Sequence, residues 1–118
     1  MCQNPTRPIP TPSVRTVDGT TVVALYGEID LMTAAPLAAR LDALTSGPRP
    51  DLVLDLREVT FIDCAGLSVL CRTRNRVRAR QGRLRLVAGG GGFARLLRAT
   101  RLGGVFEISP DLPKVPAI

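Results

Sequence analysis

The 118-residue chain has no histidine. That excludes His-assisted serine or cysteine nucleophiles and any metal site built on imidazole. Its single lysine, Lys114, lies near the end, so there is no P-loop lysine and no catalytic lysine in the core. Aromatic residues amount to 3%, too few for the stacking platforms that hold single-stranded nucleic acid. Cys2, Cys64 and Cys71 form no CxxC pair, which argues against a structural zinc site. An odd number of cysteines fits a reducing compartment better than a disulfide framework. No apolar run approaches the ~18 residues of a membrane span. The opening MCQNPTRPIPTPS has four prolines and no apolar h-region. It reads as no signal peptide, and a cytoplasmic location is expected.

What is present suits one domain. Hydrophobic residues make up 45% of the chain, enough for a packed interior at this length. The net charge is +6 and the sequence pI about 10.6, almost all of it from arginine. The plain reading is solubility plus the bias of a GC-rich genome. The sharper one is attraction to an acidic protein surface, or to nucleic acid.

Patterning divides the chain into a Pro-rich leader (1–12), a domain (13–110) and a loose tail (111–118). Residues 14–17 predict a first strand, and Asp18-Gly19 a hairpin turn. The β-branched run 20–26 predicts a second strand, and Gly27-Glu28-Ile29-Asp30 leads into a helix over 33–45. Leu37, Leu41 and Leu44 give that helix its apolar stripe, and Ser46-Gly47-Pro48 ends it. Residues 52–56 predict a third strand, bounded by charges, with 59–62 continuing into the turn before the second helix. A second helix follows over 64–80, with Leu67, Leu70, Cys71 and Val77 inward and Arg72, Arg76 and Arg80 on another face. Gln81-Gly82 stops it. Residues 83–88 alternate as a strand, Gly89 to Gly92 form a joint, 93–100 a third helix closed by Leu102-Gly103-Gly104, and 105–108 a last strand. The order β-β-α-β-α-β-α-β predicts an α/β fold: a small mixed sheet of about five strands with helices packed against it.

The most informative stretch is DLVLDLREVTFIDCAGLSVL, residues 51–70. Asp63 is placed to cap the second helix, its carboxylate accepting from amides of the first turn. The small residues Ala65 and Gly66 predict an uncluttered helix end at a strand's carboxyl end, where α/β proteins often carry function.

VTFIDCAGLSVL, with LVLDL before it and GEID upstream, resembles the STAS family: bacterial anti-sigma factor antagonists and the cytosolic domains of sulfate transporters. The G-x-L-x-L-V strand and FARLLRATRLGGVF further along match in order and spacing. The resemblance runs from about Val14 to Ile108, and lies with the free-standing antagonists. It implies a binding protein and not an enzyme, without cofactor or metal. The implied partner is an anti-sigma factor that is itself a GHKL-type serine kinase; binding it releases a sigma factor and so regulates transcription. In the family the kinase phosphorylates a serine directly before the glycine of D-S-S-G or D-T-S-G. Here the segment is Asp63-Cys64-Ala65-Gly66, so the acceptor position is Ala65, which has no hydroxyl.

The expected partner surface is the helix start at 63–68, the turn at 28–33 and part of the second helix; its expected contact residues are Glu28, Asp30, Asp63, Cys64, Ala65, Gly66, Leu67 and Ser68. A monomer or weak homo-oligomer is expected, with no nucleic-acid or membrane partner. The alternatives are a STAS scaffold subunit in a stress-signalling complex, or a thiol-based redox-responsive regulator through Cys64. A thiol at a helix N-terminus is favoured as thiolate, yet Cys64 also reads simply as a small residue in place of serine. Cys71 reads as core. A Cys64–Cys71 disulfide is not expected, because seven residues of helix separate them by roughly 10 Å. Asp30 and Asp63 read as helix caps as well as partner contacts. The arginines at 72, 74, 76, 78 and 80 read as a solvated face, or as a surface for a partner's acids.

Overall fold

The computed structural model describes residues 12–88 and 105–109. Five strands form one mixed sheet in the order β1-β2-β3-β4-β5: β1 (Ser13–Val17), β2 (Thr20–Ile29), β3 (Asp51–Ile62), β4 (Arg83–Val87) and β5 (Glu107–Ser109). β1 pairs antiparallel with β2, and the other pairs are parallel. The β1–β2 turn holds Asp18 at φ 50° and Gly19 at φ 82°. Two adjacent positive φ values suit the Asp-Gly pair and the twist of a tight hairpin.

The helices α1 (Leu31–Leu44) and α2 (Cys64–Ala79) are the connections from β2 to β3 and from β3 to β4. Both pack on one face of the sheet. Leu37 and Leu41 of α1 and Leu67, Val69 and Leu70 of α2 share a core with Val23, Leu25, Leu52, Leu54, Leu56 and Leu86. Strand alternation sends Val22, Val53 and Val87 to the opposite face, where they form a second buried cluster.

The ends of α2 are set by local chemistry. Its C-terminus closes with Gln81 N–H donating to Arg78 O at 3.0 Å and Gly82 N–H to Val77 O at 2.9 Å, a Schellman closure. Gln81 takes the left-handed position at φ 58°. Gly82 follows because a Cβ there would lie 2.1 Å from Pro50 O.

Several boundaries differ from the sequence reading. β2 continues to Ile29, so Gly27, Glu28 and Ile29 are strand, not a lead-in. β3 likewise runs past the predicted end at Leu56 to Ile62, so 59–62 is strand up to the residue before the α2 cap. The reason is mutual pairing: Gly27 lies opposite Val59, Glu28 opposite Phe61 and Ile29 opposite Ile62. Two register shifts make this possible, each with one extra residue on β3. At the first, the Arg57 guanidinium grips Asp55 with Nε–Oδ1 at 2.9 Å and Nη2–Oδ2 at 2.8 Å. α1 starts at Leu31 and not at Thr33, and carries Pro36 inside it. Pro36 lacks the N–H that would reach back four residues, yet it sits on the exposed side, where water can take that carbonyl. The last strand is Glu107–Ser109. The leader, the glycine joint, the third helix, its Leu102-Gly103-Gly104 closure and the tail lie outside the described residues.

Candidate functional site: two helix tips at one end of the sheet

β2 and β3 run parallel and end side by side, so the helices that follow them start together. Asp30 caps α1: its Oδ1 accepts from Met32 N–H at 3.0 Å and Thr33 N–H at 3.2 Å. Thr33 returns the bond, its Oγ1 accepting from Asp30 N–H at 2.9 Å, a capping box with threonine in place of the usual Glu or Gln. Thr33 Oγ1 also donates to Glu28 O at 3.0 Å, which ties the helix start to the strand before it.

Asp63 caps α2 and does more. Its Oδ1 accepts from Gly66 N–H at 3.0 Å, and its Oδ2 from Leu31 N–H, the first amide of α1, at 3.3 Å. Its own N–H donates to Ile29 O at 3.2 Å. One residue thus bonds to both helix starts and to the end of β2.

The structure divides the sequence-predicted tip residues by exposure. Cys64 and Ser68 are exposed; Glu28, Asp30, Asp63 and Ala65 are half-buried. Gly66 and Leu67 are buried, so these two offer a visitor no surface. The expectation that Gly66 leaves room for an approaching partner is corrected. Its missing Cβ is replaced by this chain's own Ile29 O, which lies 2.4 Å from where that atom would stand. Leu67 faces the core, as the helix stripe required. Ser68 Oγ donates to Cys64 O at 2.9 Å, the usual back-bonding of a helical serine.

Three apolar side chains at this end of the sheet are exposed: Leu31 (77%) and Met32 (79%), which lie in the 28–33 turn of the expected surface without being named in it, and Phe61 (51%), which the sequence reading does not include. Leu31 and Met32 open α1. Phe61 lies beside Glu28 on the sheet face away from the helices, because the next pair, Ile29 and Ile62, turns into the core. One signal was available for Met32. It precedes Leu41 by nine residues, about 2.5 turns of helix, which puts it on the side opposite the buried stripe.

The arginine face of α2 is not simply solvated. Arg72 pairs with Asp42 of α1 at 2.8 Å. Arg76 meets Asp42 at 3.2 Å and also donates to Asp42 O and Thr45 Oγ1 at the α1 C-terminus, where a cation complements the helix dipole. The hydrogen bond from Arg72, helped by the fields of both arginines, holds the Asp42 carboxyl below the ordinary carboxylate range. Arg74 donates to Val105 O at 2.8 Å. Arg78 and Arg80 remain exposed. Cys64 and Cys71 are both free thiols, and Cys71 is half-buried against the core. Cys2 lies outside the described residues. Among the described residues, no three His, Cys, Asp or Glu side chains come together as a metal site, and no helix is long and apolar enough to cross a membrane.

Comparison with known proteins places this architecture. The crystal structure of an anti-sigma factor antagonist from Mycobacterium paratuberculosis superposes with a TM-score of 0.79 at 34% identity, over 87% of each chain. SpoIIAA, an anti-sigma factor antagonist from Bacillus solved in its unphosphorylated and phosphorylated forms, shares the fold. Its unphosphorylated form matches at 16% identity with a TM-score of 0.66, over 86% of this chain and 90% of that one. The anti-sigma-F factor antagonist RsfB of Mycobacterium tuberculosis is 35% identical over 60 residues, 51% of this chain and 49% of that protein. The match therefore spans about half the length of that relative. The model of the STAS domain matches residues 11–115, which takes in all five strands and both helices described above, and by that match the chain belongs to the STAS domain family.

Proposed function

We propose that this protein is an anti-sigma factor antagonist that works by binding, with no catalysis of its own. The observation that carries the reading is the similarity to the Mycobacterium paratuberculosis antagonist, at 34% identity over 87% of both chains. The geometry supports it: the α2 start is accessible through Cys64, Ala65 and Ser68, beside the exposed Leu31 and Met32. The partner is an anti-sigma factor of the GHKL serine-kinase type, met in the cytoplasm, and its capture frees a sigma factor.

Ala65 bears on how such binding is controlled. A phosphoserine at that position would bring roughly −1.5 to −2 charge next to Asp63. Alanine cannot carry it, so the antagonist stays in its binding form and any control acts elsewhere.

The test is a pull-down from the source organism with the parent chain and with Ala65→Asp. Recovery of a GHKL-type kinase by the parent alone supports the reading; equal recovery by both, or by neither, contradicts it. Incubation with that kinase and ATP, followed by intact-mass analysis, should find no phosphate at residues 64–68. A second reading, a thiol-responsive regulator, is favoured by the exposure of the free Cys64. Equal partner affinity before and after peroxide would remove it.

A further inference from the structure

We propose that Asp63 is a positioning residue that locks the exposed apolar start of α1 to the tip of α2, so that Leu31, Met32, Cys64 and Ala65 meet a partner as one rigid surface. The proposal rests on the binding function above. Within α1, the Asp30 carboxylate serves Met32 and Thr33 through Oδ1, and the Asp30 carbonyl serves Ala34 N–H at 2.8 Å. The amide of Leu31 goes instead to Asp63 Oδ2, 32 residues away in sequence. The same carboxylate holds Gly66 through its other oxygen, and the Asp63 backbone is bonded to Ile29, the last residue of β2.

This arrangement has a reason in electrostatics and in entropy. One anion sits between two helix N-termini, both of which favour negative charge. A helix start frays when its first amides have no partner. Here the first turn of α1 displays Leu31 and Met32, among the most exposed large apolar side chains described. Fixing that turn before association removes part of the ordering cost that binding otherwise carries. Asp63 thus acts on the partner through Leu31 and Met32, whether or not it touches the partner itself.

The test uses Asp63→Ser, since serine caps a helix about as well as aspartate but offers one short-armed oxygen, which cannot span both amides. Amide exchange by NMR should show Leu31 N–H exchanging faster in Asp63→Ser while Gly66 N–H keeps its protection. Affinity for the purified anti-sigma factor is then measured for the parent, Asp63→Ser, Leu31→Ala/Met32→Ala, and the combination. We expect about a tenfold loss for Asp63→Ser and for the α1 pair alike. The combination should also lose about tenfold and not the hundredfold of independent sites. Multiplying losses, an Asp63→Ser variant with parental affinity, or an unchanged Leu31 amide would each overturn the proposal. If the parent itself does not bind the factor, the proposed function falls, and the Leu31 and Gly66 exchange rates still decide whether Asp63 joins the two tips.

Discussion

Replacing Gly66 by alanine sets two well-known effects against each other, and the structure says which wins. Alanine is the better helix former by about 1 kcal/mol in a helix interior, so propensity alone predicts a more stable protein. The contacts predict the reverse. The new Cβ would stand 2.4 Å from Ile29 O, 2.6 Å from Ile62 Cγ1 and 2.9 Å from Ile29 Cγ2. The nearest of these is backbone and cannot rotate away, so the separation must grow by about 1 Å to reach ordinary contact at 3.4 Å. A shift of that size carries the Asp63 N–H···Ile29 O bond, now 3.2 Å, out of range. Overpacking of this kind costs about 3 kcal/mol at the upper end of its usual range, and the lost bond adds about 1 kcal/mol. Set against the propensity gain, Gly66→Ala should be destabilised by about 3 kcal/mol, or roughly 12 °C in Tm at about 4 °C per kcal/mol for a chain of this size. Gly47→Ala is the control: nothing lies within 4 Å of its added Cβ, and it should stay within about 0.5 kcal/mol of the parent. Thermal and urea unfolding of the three proteins decide the matter. A Gly66→Ala protein as stable as the parent, or more so, would refute the packing argument.

Gln81→Gly should stabilise the fold by about 1 kcal/mol, because a left-handed φ costs an ordinary residue about that much; a raised urea midpoint at unchanged slope is the check. Gly82→Ala should destabilise it despite being next door, since its Cβ would meet Pro50 O at 2.1 Å. The carboxyls of Asp42, Asp55 and Glu107 are all held low, first by hydrogen bonds from Arg72, Arg57 and Arg83 respectively. At these groups the unfolded chain binds protons more readily than the folded one, so their contribution is full above the ordinary carboxylate range and is lost as pH falls through the lowered values. Unfolding measured from pH 6 downward should show stability falling below about pH 5, and Asp42→Asn should make that decline shallower; an unchanged slope would count against the pairing. Ala65→Ser should remain folded and become a substrate for a cognate kinase, read as added phosphate mass and weakened binding.

The sequence carried the order of the described strands and of α1 and α2 because each signal was local. Leu37, Leu41 and Leu44 repeat at helical spacing, Asp18-Gly19 makes a tight turn, and Asp30 and Asp63 cap helices; none of these depends on distant residues. What it did not carry were features that depend on pairing across the chain. The extension of β2 to Ile29 exists only because β3 is there with its two bulges. The roles of Arg72 and Arg76 depend on Asp42, 30 and 34 residues away, and a run of arginines on one helix cannot announce that. Leu31 and Met32 lie in the turn expected to face a partner, but that they open α1 as exposed apolar side chains depends on the helix starting at Leu31, two residues before the predicted start.

The segment Asp63-Cys64-Ala65-Gly66-Leu67-Ser68 therefore divides into two sets of residues with different freedoms. Asp63, Gly66 and Leu67 are committed to the fold, through two caps, a steric fit against Ile29 and a place in the core. Cys64 and Ser68 are exposed and Ala65 half-buried, with no such duty beyond a serine back-bond. Changes at 64 and 65 alter what a partner meets while leaving the framework that presents it. Serine at 65 costs only about 0.5 kcal/mol of helix propensity, which is small against the fold. A hydroxyl or its phosphate can thus be present or absent at that position without rebuilding the tip. It follows that differences in partner affinity between Ala65, Ala65→Ser and Ala65→Asp can be read as surface chemistry, provided that their unfolding midpoints agree. The same comparison at Gly66 could not be read that way, because there a change of side chain displaces the helix itself.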